Sequence, residues 1–226
     1  MLSEPRMIAL IVEVLHLPMQ HAKTQLRTLY TKLCSLCDFE NFTQRPGGAR
    51  IERPASEEAG LARVTFGPDR ITFSEEGGFL TVDGCCERLE AILAESMDLL
   101  GIPILLMEQC TVRAVVTPGA FRSASDFIGT RLMNIGSGDF SAIGRPTSVF
   151  GFRLVAPATA EARDSYSVRV EVFARDPKSL YLENVGTFRQ PLNRADLHSV
   201  AQSLRDTSSF VGDKLCSFLS LFDVAS

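Results

Sequence analysis

Two glutamates stand out among the residues that could do chemistry, because each interrupts apolar, strand-like sequence. Glu13 lies in the β-branched run at residues 7–17, and Glu108 lies in a similar run at residues 104–118 together with Arg113. A buried carboxylate is costly unless it is paired or hydrogen-bonded. We therefore predict that Glu13, Glu108 and Arg113 line a ligand-binding groove. The alternative is that the carboxylates are simply paired with Arg113 or another arginine.

The cysteines do not form a redox or zinc motif. Cys34 and Cys37 have CxxC spacing, but they fall near the end of a predicted helix, whereas a thiolate is stabilised at a helix N-terminus. No second CxxC follows, and no histidine is near in the sequence. Cys85 and Cys86 open another helix without an identifiable basic partner. These cysteines are predicted to pack in the core, and neither a metal nor a cofactor is expected.

The remaining candidates for chemistry are isolated from one another. The chain has three histidines: His16, His21 and His198. They occupy unrelated elements, so surface or supporting roles are predicted and no catalytic residue is assigned. Residues 136–139 (GSGD) follow a predicted helix and lack the Gly-Lys-Ser/Thr of a phosphate loop, which predicts a plain connection. Glu75 and Glu76 precede two glycines and are expected to be solvated rather than to bind a cation.

Composition places the chain among ordinary globular proteins and limits its partners. It has 226 residues, 45% hydrophobic and 22% charged, with a net charge of −4. Residues 1–103 carry 10 basic and 15 acidic side chains, and the rest carry 13 and 12. Neither half has the positive charge that nonspecific nucleic-acid binding needs. No apolar run reaches the length of a membrane span, and the scattered cysteines are typical of a reducing compartment, so a cytoplasmic protein is expected.

Hydrophobic periodicity predicts an α+β fold in which one order of elements occurs twice. The first half reads strand 7–17, helix 20–37, strands near 50–53, 61–66, 70–74 and 79–82, and helix 85–100. The second half reads strand 104–117, helix 121–135, strands 148–156, 165–175, 180–185 and 187–190, and a helix of about 29 residues, near 44 Å long, capped by Asn193.

An internal duplication would explain this repetition. Residues 71–79 (ITFSEEGGF) align without gaps on residues 180–188 (LYLENVGTF), and each segment precedes the closing helix of its half. We therefore predict two βαβββα-like repeats, at residues 1–102 and 103–226, with helices on one face of antiparallel sheet. One continuous sheet and two abutting sheets are both open, as is a pair of unrelated halves with similar element order.

The element order resembles the helix-grip or TATA-binding-protein-like fold. In duplicated members of that fold the two first strands lie side by side, which implies that residues 7–17 pair with residues 104–117 and that Glu13 approaches Arg113. The segments Ile11-Val12-Glu13-Val14 and Gln109-Cys110-Thr111-Val112-Arg113 also resemble strands of a sporadically distributed bacterial family of similar size. That family has no established activity, so the resemblance implies no site residue.

Three functions follow as expectations. The first is a noncatalytic binding or protein-interaction module, acting on a partner protein or by self-association as a homodimer. The second is an enzyme or carrier for a small hydrophobic molecule, with a pocket between the sheet and the C-terminal helix. The third is nucleic-acid binding, which would need a basic concave face on an acidic chain.

Overall fold

Strands and helices follow one another along the chain in the predicted α+β order. The structure is a computed structural model that describes residues 1–56, 59–135, 139–145, 147 and 149–224. The strands are β1 (Arg6–His16), β2 (Asn41–Arg45), β3 (Gly48–Arg53), β4 (Leu61–Phe66), β5 (Arg70–Glu76), β6 (Leu105–Val116), β7 (Gly151–Ala156), β8 (Ser165–Val172) and β9 (Leu180–Phe188). The helices are α1 (Lys23–Cys37), α2 (Val82–Leu100), α3 (Ala124–Asp126), α4 (His198–Ser209) and α5 (Cys216–Ser220).

These strands form one antiparallel sheet in the order β2-β3-β4-β5-β1-β6-β9-β8-β7. In each half the last strand lies beside the first, so β5 pairs with β1 and β9 pairs with β6. The halves meet where β1 pairs with β6. The α+β class and the predicted pairing of the two first strands are therefore confirmed, and the strands belong to one continuous sheet rather than two.

The two aligned nine-residue segments have related positions in the sheet. Their first residues, Ile71 and Leu180, are buried opposite valines near the ends of β1 and β6. Six positions later the segments differ. Gly77 has left β5 with a φ of 73°, and its amide donates to the Ile8 carbonyl, whereas Gly186 is still inside β9. A common origin of the two halves stays a prediction.

One face of the sheet packs against the helices. Leu10, Val12 and Val14 of β1 are buried, while the residues between them are partly exposed, as expected when a strand is covered on one side. Leu26, Leu29 and Leu33 form the buried side of α1, while Leu36 is exposed, and α2 packs between α1 and α4. Within the described residues, no helix has both the length and the apolar character needed to cross a membrane.

Two strand predictions in the first half are wrong. Residues 79–82 do not form a strand, because Gly77 and Gly78 turn the chain with positive φ angles and α2 already begins at Val82. Phe79 is accordingly 93% exposed. In addition, β2 was not predicted, because its polar sequence lacks the β-branched and aromatic pattern of a strand. It pairs with β3 as an edge strand.

The strands and helices of the second half are continuous or interrupted at other places than predicted. The two short strands predicted at 180–185 and 187–190 are the single strand β9, since Gly186 is accommodated within the ladder opposite Cys110 and Tyr166. Strand β7 begins at Gly151, and residue 148, where it was predicted to begin, lies outside the described residues. A π-helical segment (Phe127–Met133) extends α3.

The C-terminal helix is capped as predicted. The Asn193 side chain accepts a hydrogen bond from the Ala195 amide at 2.8 Å, and the Asp196 carboxylate accepts one from the Asn193 amide at 3.3 Å. A 3₁₀ turn follows, and then α4, a π-helical segment (Phe210–Leu215) and α5 form one continuous helical rod. The rod is not uniformly α-helical, because its hydrogen-bond pattern changes to the π type between α4 and α5. The periodicity of the sequence did not indicate this change.

Candidate functional site

Glu13 lies on the face of the sheet away from the helices, called here the open face. It is opposite Gln109 of β6, and its carboxylate accepts hydrogen bonds from Arg70 and from the Thr72 hydroxyl, each at 3.3 Å. Arg113 is opposite Ala9, which lies four residues before Glu13 in β1. The expected approach of Glu13 to Arg113 therefore does not occur, and Arg70 is the arginine partner of Glu13.

Arg113 forms its own cluster on the open face. Its Nε donates to Glu183 at 2.8 Å, and the same carboxylate accepts from Tyr181 at 2.9 Å and lies 3.3 Å from Arg169. Burial alone would raise the pKa of Glu183, but the hydrogen bonds from Arg113 and Tyr181 and the charge of Arg169 outweigh it and lower the pKa. The cluster is a charge-compensated network that ties β6, β8 and β9 together.

Charges on the open face are mostly paired in this way. Glu52 lies 3.8 Å from Arg50 and 3.4 Å from Arg63, which repeats in the first half the pattern of one glutamate between two arginines. Five arginines of this face lie within 4 Å of a carboxylate: Arg50, Arg63, Arg70, Arg113 and Arg169. Paired arginines contribute less field to attract phosphates than free ones.

Glu108 lies on the opposite side of the sheet, beneath α4. Only 4% of the residue is exposed, and the Ser203 hydroxyl donates to its Oε1. Its Oε2 is buried without a hydrogen-bond partner among the described residues. Burial raises the pKa of Glu108 to about 7, and the hydrogen bond from Ser203 offsets part of that rise. The carboxyl is therefore close to half protonated at neutral pH.

The three predicted ligand-binding residues do not converge on one site. Glu13 and Arg113 lie on the open face with separate ionic partners, and Glu108 points toward the helices. The separation of Glu108 from Arg113 could have been read from the sequence, because residues an odd number of positions apart fall on opposite faces of one strand. Binding roles for these residues stay predictions.

The other sequence candidates are packed in the core or already bonded. All six cysteines are free thiols; Cys34 is half-buried and the rest are buried. Burial raises the pKa of Cys37 to about 11, which makes that thiol a weak nucleophile. The prediction that Glu75 is solvated is wrong, because β5 continues to Glu76 and the carboxylate of Glu75 is buried against Arg88. Residues 136–138 lie outside the described residues.

Clusters of the kind that bind metals through three or more side chains are not found in the described residues. Such clusters would consist of histidine, cysteine, aspartate or glutamate side chains. His198 is exposed at the start of α4, as predicted. His16, in contrast, is 2% exposed at the end of β1, so the surface alternative is wrong for this histidine, while a supporting role stays a prediction.

A groove with apolar walls lies between the sheet and the C-terminal helical rod. Its volume is about 240 Å³, and it is open to solvent along one side. Strands β7 and β8 form one wall and the π-helical segment and α5 form the other; the lining includes Leu154, Val155, Tyr166, Val168, Phe210 and Phe218. Lys214 is the charged residue of the lining, and no ion pair holds it within the described part of the chain.

Aromatic packing shapes the inner end of this groove. The ring of Phe210 stacks on that of Tyr166, with centroids 4.6 Å apart and planes at 21°. Phe218 lies in the lining of the groove and is 39% exposed.

The strand beside the groove is an edge of the sheet. Among the described residues, strand β7 pairs with β8 on one side only, so its other side carries backbone donors and acceptors that no described strand pairs with. Leu154 and Val155 on this strand are 43% and 62% exposed. The opposite edge strand, β2, has Thr43 and Gln44 at equivalent central positions and exposes no large aliphatic side chain. An apolar edge with a groove next to it is thus confined to the second half.

Comparison with known proteins assigns no family. The sequence matches no protein-family model and no curated protein. The resemblances to the helix-grip fold and to a bacterial family stay predictions. Only the α+β class itself is confirmed.

Proposed function

We propose that this protein is a noncatalytic protein-interaction module of the cytoplasm, which binds an extended segment of a partner protein along the free edge of β7. The observation that supports this most directly is that an unpaired strand edge runs beside an apolar groove. The six free cysteines, five of them buried in the core, support a reducing compartment.

Backbone pairing would supply the affinity in this interaction. Addition of a peptide strand to an exposed sheet edge satisfies the free N–H and C=O groups of both chains, and pockets for alternate side chains provide specificity. Natural proteins usually protect an edge with charges, prolines or short length. Strand β7 carries Arg153 but follows it with Leu154, Val155 and Ala156, and Pro157 comes only after the strand ends.

The groove indicates the chemistry of the bound segment. A volume of about 240 Å³ is below the roughly 300–1,000 Å³ of pockets that enclose a small-molecule ligand, but it suits one or two apolar side chains. Lys214 at its rim would attract a carboxylate. The preferred partner is therefore an extended segment with a large aliphatic or aromatic residue and an acidic residue close to it.

Peptide display followed by calorimetry tests this proposal. Peptides selected on the wild-type protein should be enriched in an apolar residue flanked by acidic ones. Val155→Asp should weaken their binding at least tenfold, because it places a charge beside the apolar wall. Thr43→Asp on the exposed edge strand β2 is the matched control and should leave the affinity unchanged. Equal losses in both variants, or selection without any sequence preference, would contradict the proposal.

A small apolar ligand in the same groove is the second candidate. It is favoured by the position of the groove, which lies between the sheet and the C-terminal helix as the sequence analysis expected for such a ligand. Native mass spectrometry of protein purified from its own host distinguishes the two. A retained small molecule that Val155→Asp abolishes would support the ligand, and a dimer mass that the same variant abolishes would identify a second copy as the partner.

A further inference from the structure

Two histidines at the end of β1 have their protonation pattern set by backbone carbonyls. His16 Nδ1 lies 2.8 Å from the Leu17 carbonyl oxygen, and His21 Nε2 lies 2.8 Å from the Gly67 carbonyl oxygen. A carbonyl oxygen can only accept, so both of these ring nitrogens carry the proton. In the neutral rings, the other nitrogens, His16 Nε2 and His21 Nδ1, are then lone-pair acceptors.

Those two acceptor nitrogens have no hydrogen-bond partner among the described residues, although both atoms are buried. His16 as a whole is only 2% exposed. A buried polar atom without a partner is uncommon in folded proteins and often marks a bound ion or water. The arrangement also matches the way in which metal-binding histidines are held, with the nonligating N–H donated to a carbonyl or carboxylate.

The spacing of the two rings fits a shared metal ion. Their centroids are 5.7 Å apart, and their planes are inclined by 63°. A metal–nitrogen distance of about 2.0–2.1 Å places the ion roughly 3.2 Å from each ring centroid. An ion bound to both unprotonated nitrogens at this distance would see the two centroids, 5.7 Å apart, at an angle of roughly 125°, which trigonal and tetrahedral coordination both accommodate.

We propose that His16 and His21 form a binding site for a divalent transition-metal ion with the preferences of Zn²⁺. The two imidazoles would supply two ligands, and water or a small exogenous donor would supply the rest. The described residues hold no group of three or more metal-binding side chains, so this site binds less tightly than a complete structural zinc site. Such an ion would link the β1–α1 connection to the β4–β5 turn at Gly67. The site is separate from the β7 groove.

Metal titration of the full chain tests the inference. Zn²⁺ binding is measured by calorimetry, and Co²⁺ is added as a spectroscopic probe whose visible absorption reports tetrahedral nitrogen coordination. The wild type should bind one equivalent. His198→Gln is the matched control, because that histidine is exposed on α4, and it should bind like the wild type. His21→Gln should weaken binding at least tenfold and remove the Co²⁺ absorption.

His16→Gln should have the same effect on binding, but its burial makes a loss of folding possible, so the half-buried His21 is the decisive position. A second readout is thermal unfolding, where Zn²⁺ should raise the Tm of the wild type and of His198→Gln but not of His21→Gln. Equal Zn²⁺ affinity in the wild type and His21→Gln would overturn the site. So would the absence of binding at millimolar Zn²⁺, which would assign the two nitrogens to bound water.

Discussion

The two halves of the sheet each place one glutamate on the side that faces the helices. Glu75 of β5 is 1% exposed and Glu108 of β6 is 4% exposed. Arg88 of α2 donates two hydrogen bonds to Glu75, at 2.5 and 2.7 Å, so the charge of that carboxylate is compensated. Glu108 receives a single hydrogen bond, from the uncharged hydroxyl of Ser203.

The difference teaches that burial alone does not decide the ionisation of a carboxylate. The Glu75–Arg88 pair holds two charges in contact and raises the pKa of Arg88 through its hydrogen bonds to Glu75. No cation lies against Glu108 in the part of the chain that the structure describes, so burial dominates and raises its pKa to about 7. The first half therefore contains a buried ion pair, and the second half contains a carboxyl that titrates near physiological pH.

Removing the arginine from the first pair should have the largest effect. Arg88→Met retains an unbranched apolar stem but leaves Glu75 buried without a cation, which costs about 3–5 kcal/mol in comparable pairs. Chemical denaturation at pH 7 measures this loss. Arg205→Met is the control, because the Arg205–Asp83 pair is exposed, and its midpoint should move little. If both variants unfold at the same denaturant concentration, the buried pair is not the stronger one.

Glu108→Gln should change the pH dependence of stability. The folded-state pKa is raised above the ordinary value of 4.5, so the contribution is fully present below about pH 4.5 and is lost as the pH rises to about 7. The loss amounts to about 3 kcal/mol. The neutral amide does not titrate, so Glu108→Gln should be more stable than the wild type at pH 8 and similar to it at pH 4.5.

Denaturation curves at a series of pH values compare the two proteins, and the free energy of unfolding of the wild type should fall between pH 4.5 and 7 relative to that of the variant. Parallel curves over this range would show that Glu108 is not buried as a lone carboxyl. The result would remove the contrast with Glu75.

The smallest effect is expected on the open face. Glu13→Gln removes the ion pair with Arg70, whose side chain is 46% exposed, so the free energy of unfolding should change by less than about 1 kcal/mol. Thermal unfolding at two salt concentrations measures it, and added salt should reduce the difference. A loss as large as that of Arg88→Met would mean that the open face is covered, for instance by a partner.

Much of the fold follows from the sequence because secondary structure depends on local periodicity. The strands β1 and β6, the helix α1 and the Asn193 cap were predicted and are present. The errors lie where local pattern is weak. Strand β2 is polar, and it forms because it can pair with β3. The segment at 79–82 is apolar, but no described strand lies next to it to pair with.

The candidate sites were less predictable, since their parts are distant in the chain. Ser203 contacts Glu108 from 95 residues away, and Gly67 fixes the His21 ring from 46 residues away. The groove likewise joins strands β7 and β8 to a helical segment more than 40 residues later. One indication of the groove was the sequence FRLVA in β7. Its apolar residues do not alternate with polar ones, and β7 is an edge strand of the sheet.

The sequence by itself determined which segments become strands and helices and which of their faces are apolar, because those properties depend on residues within a few positions of each other. Only the tertiary structure decided that Glu75 lies against an arginine and Glu108 against a serine, that one nitrogen is buried in each of two neighbouring histidine rings, and that β7 is an edge strand of the described sheet. These outcomes depend on strand order and helix placement, which bring together residues whose identities carry no local signal of their neighbours.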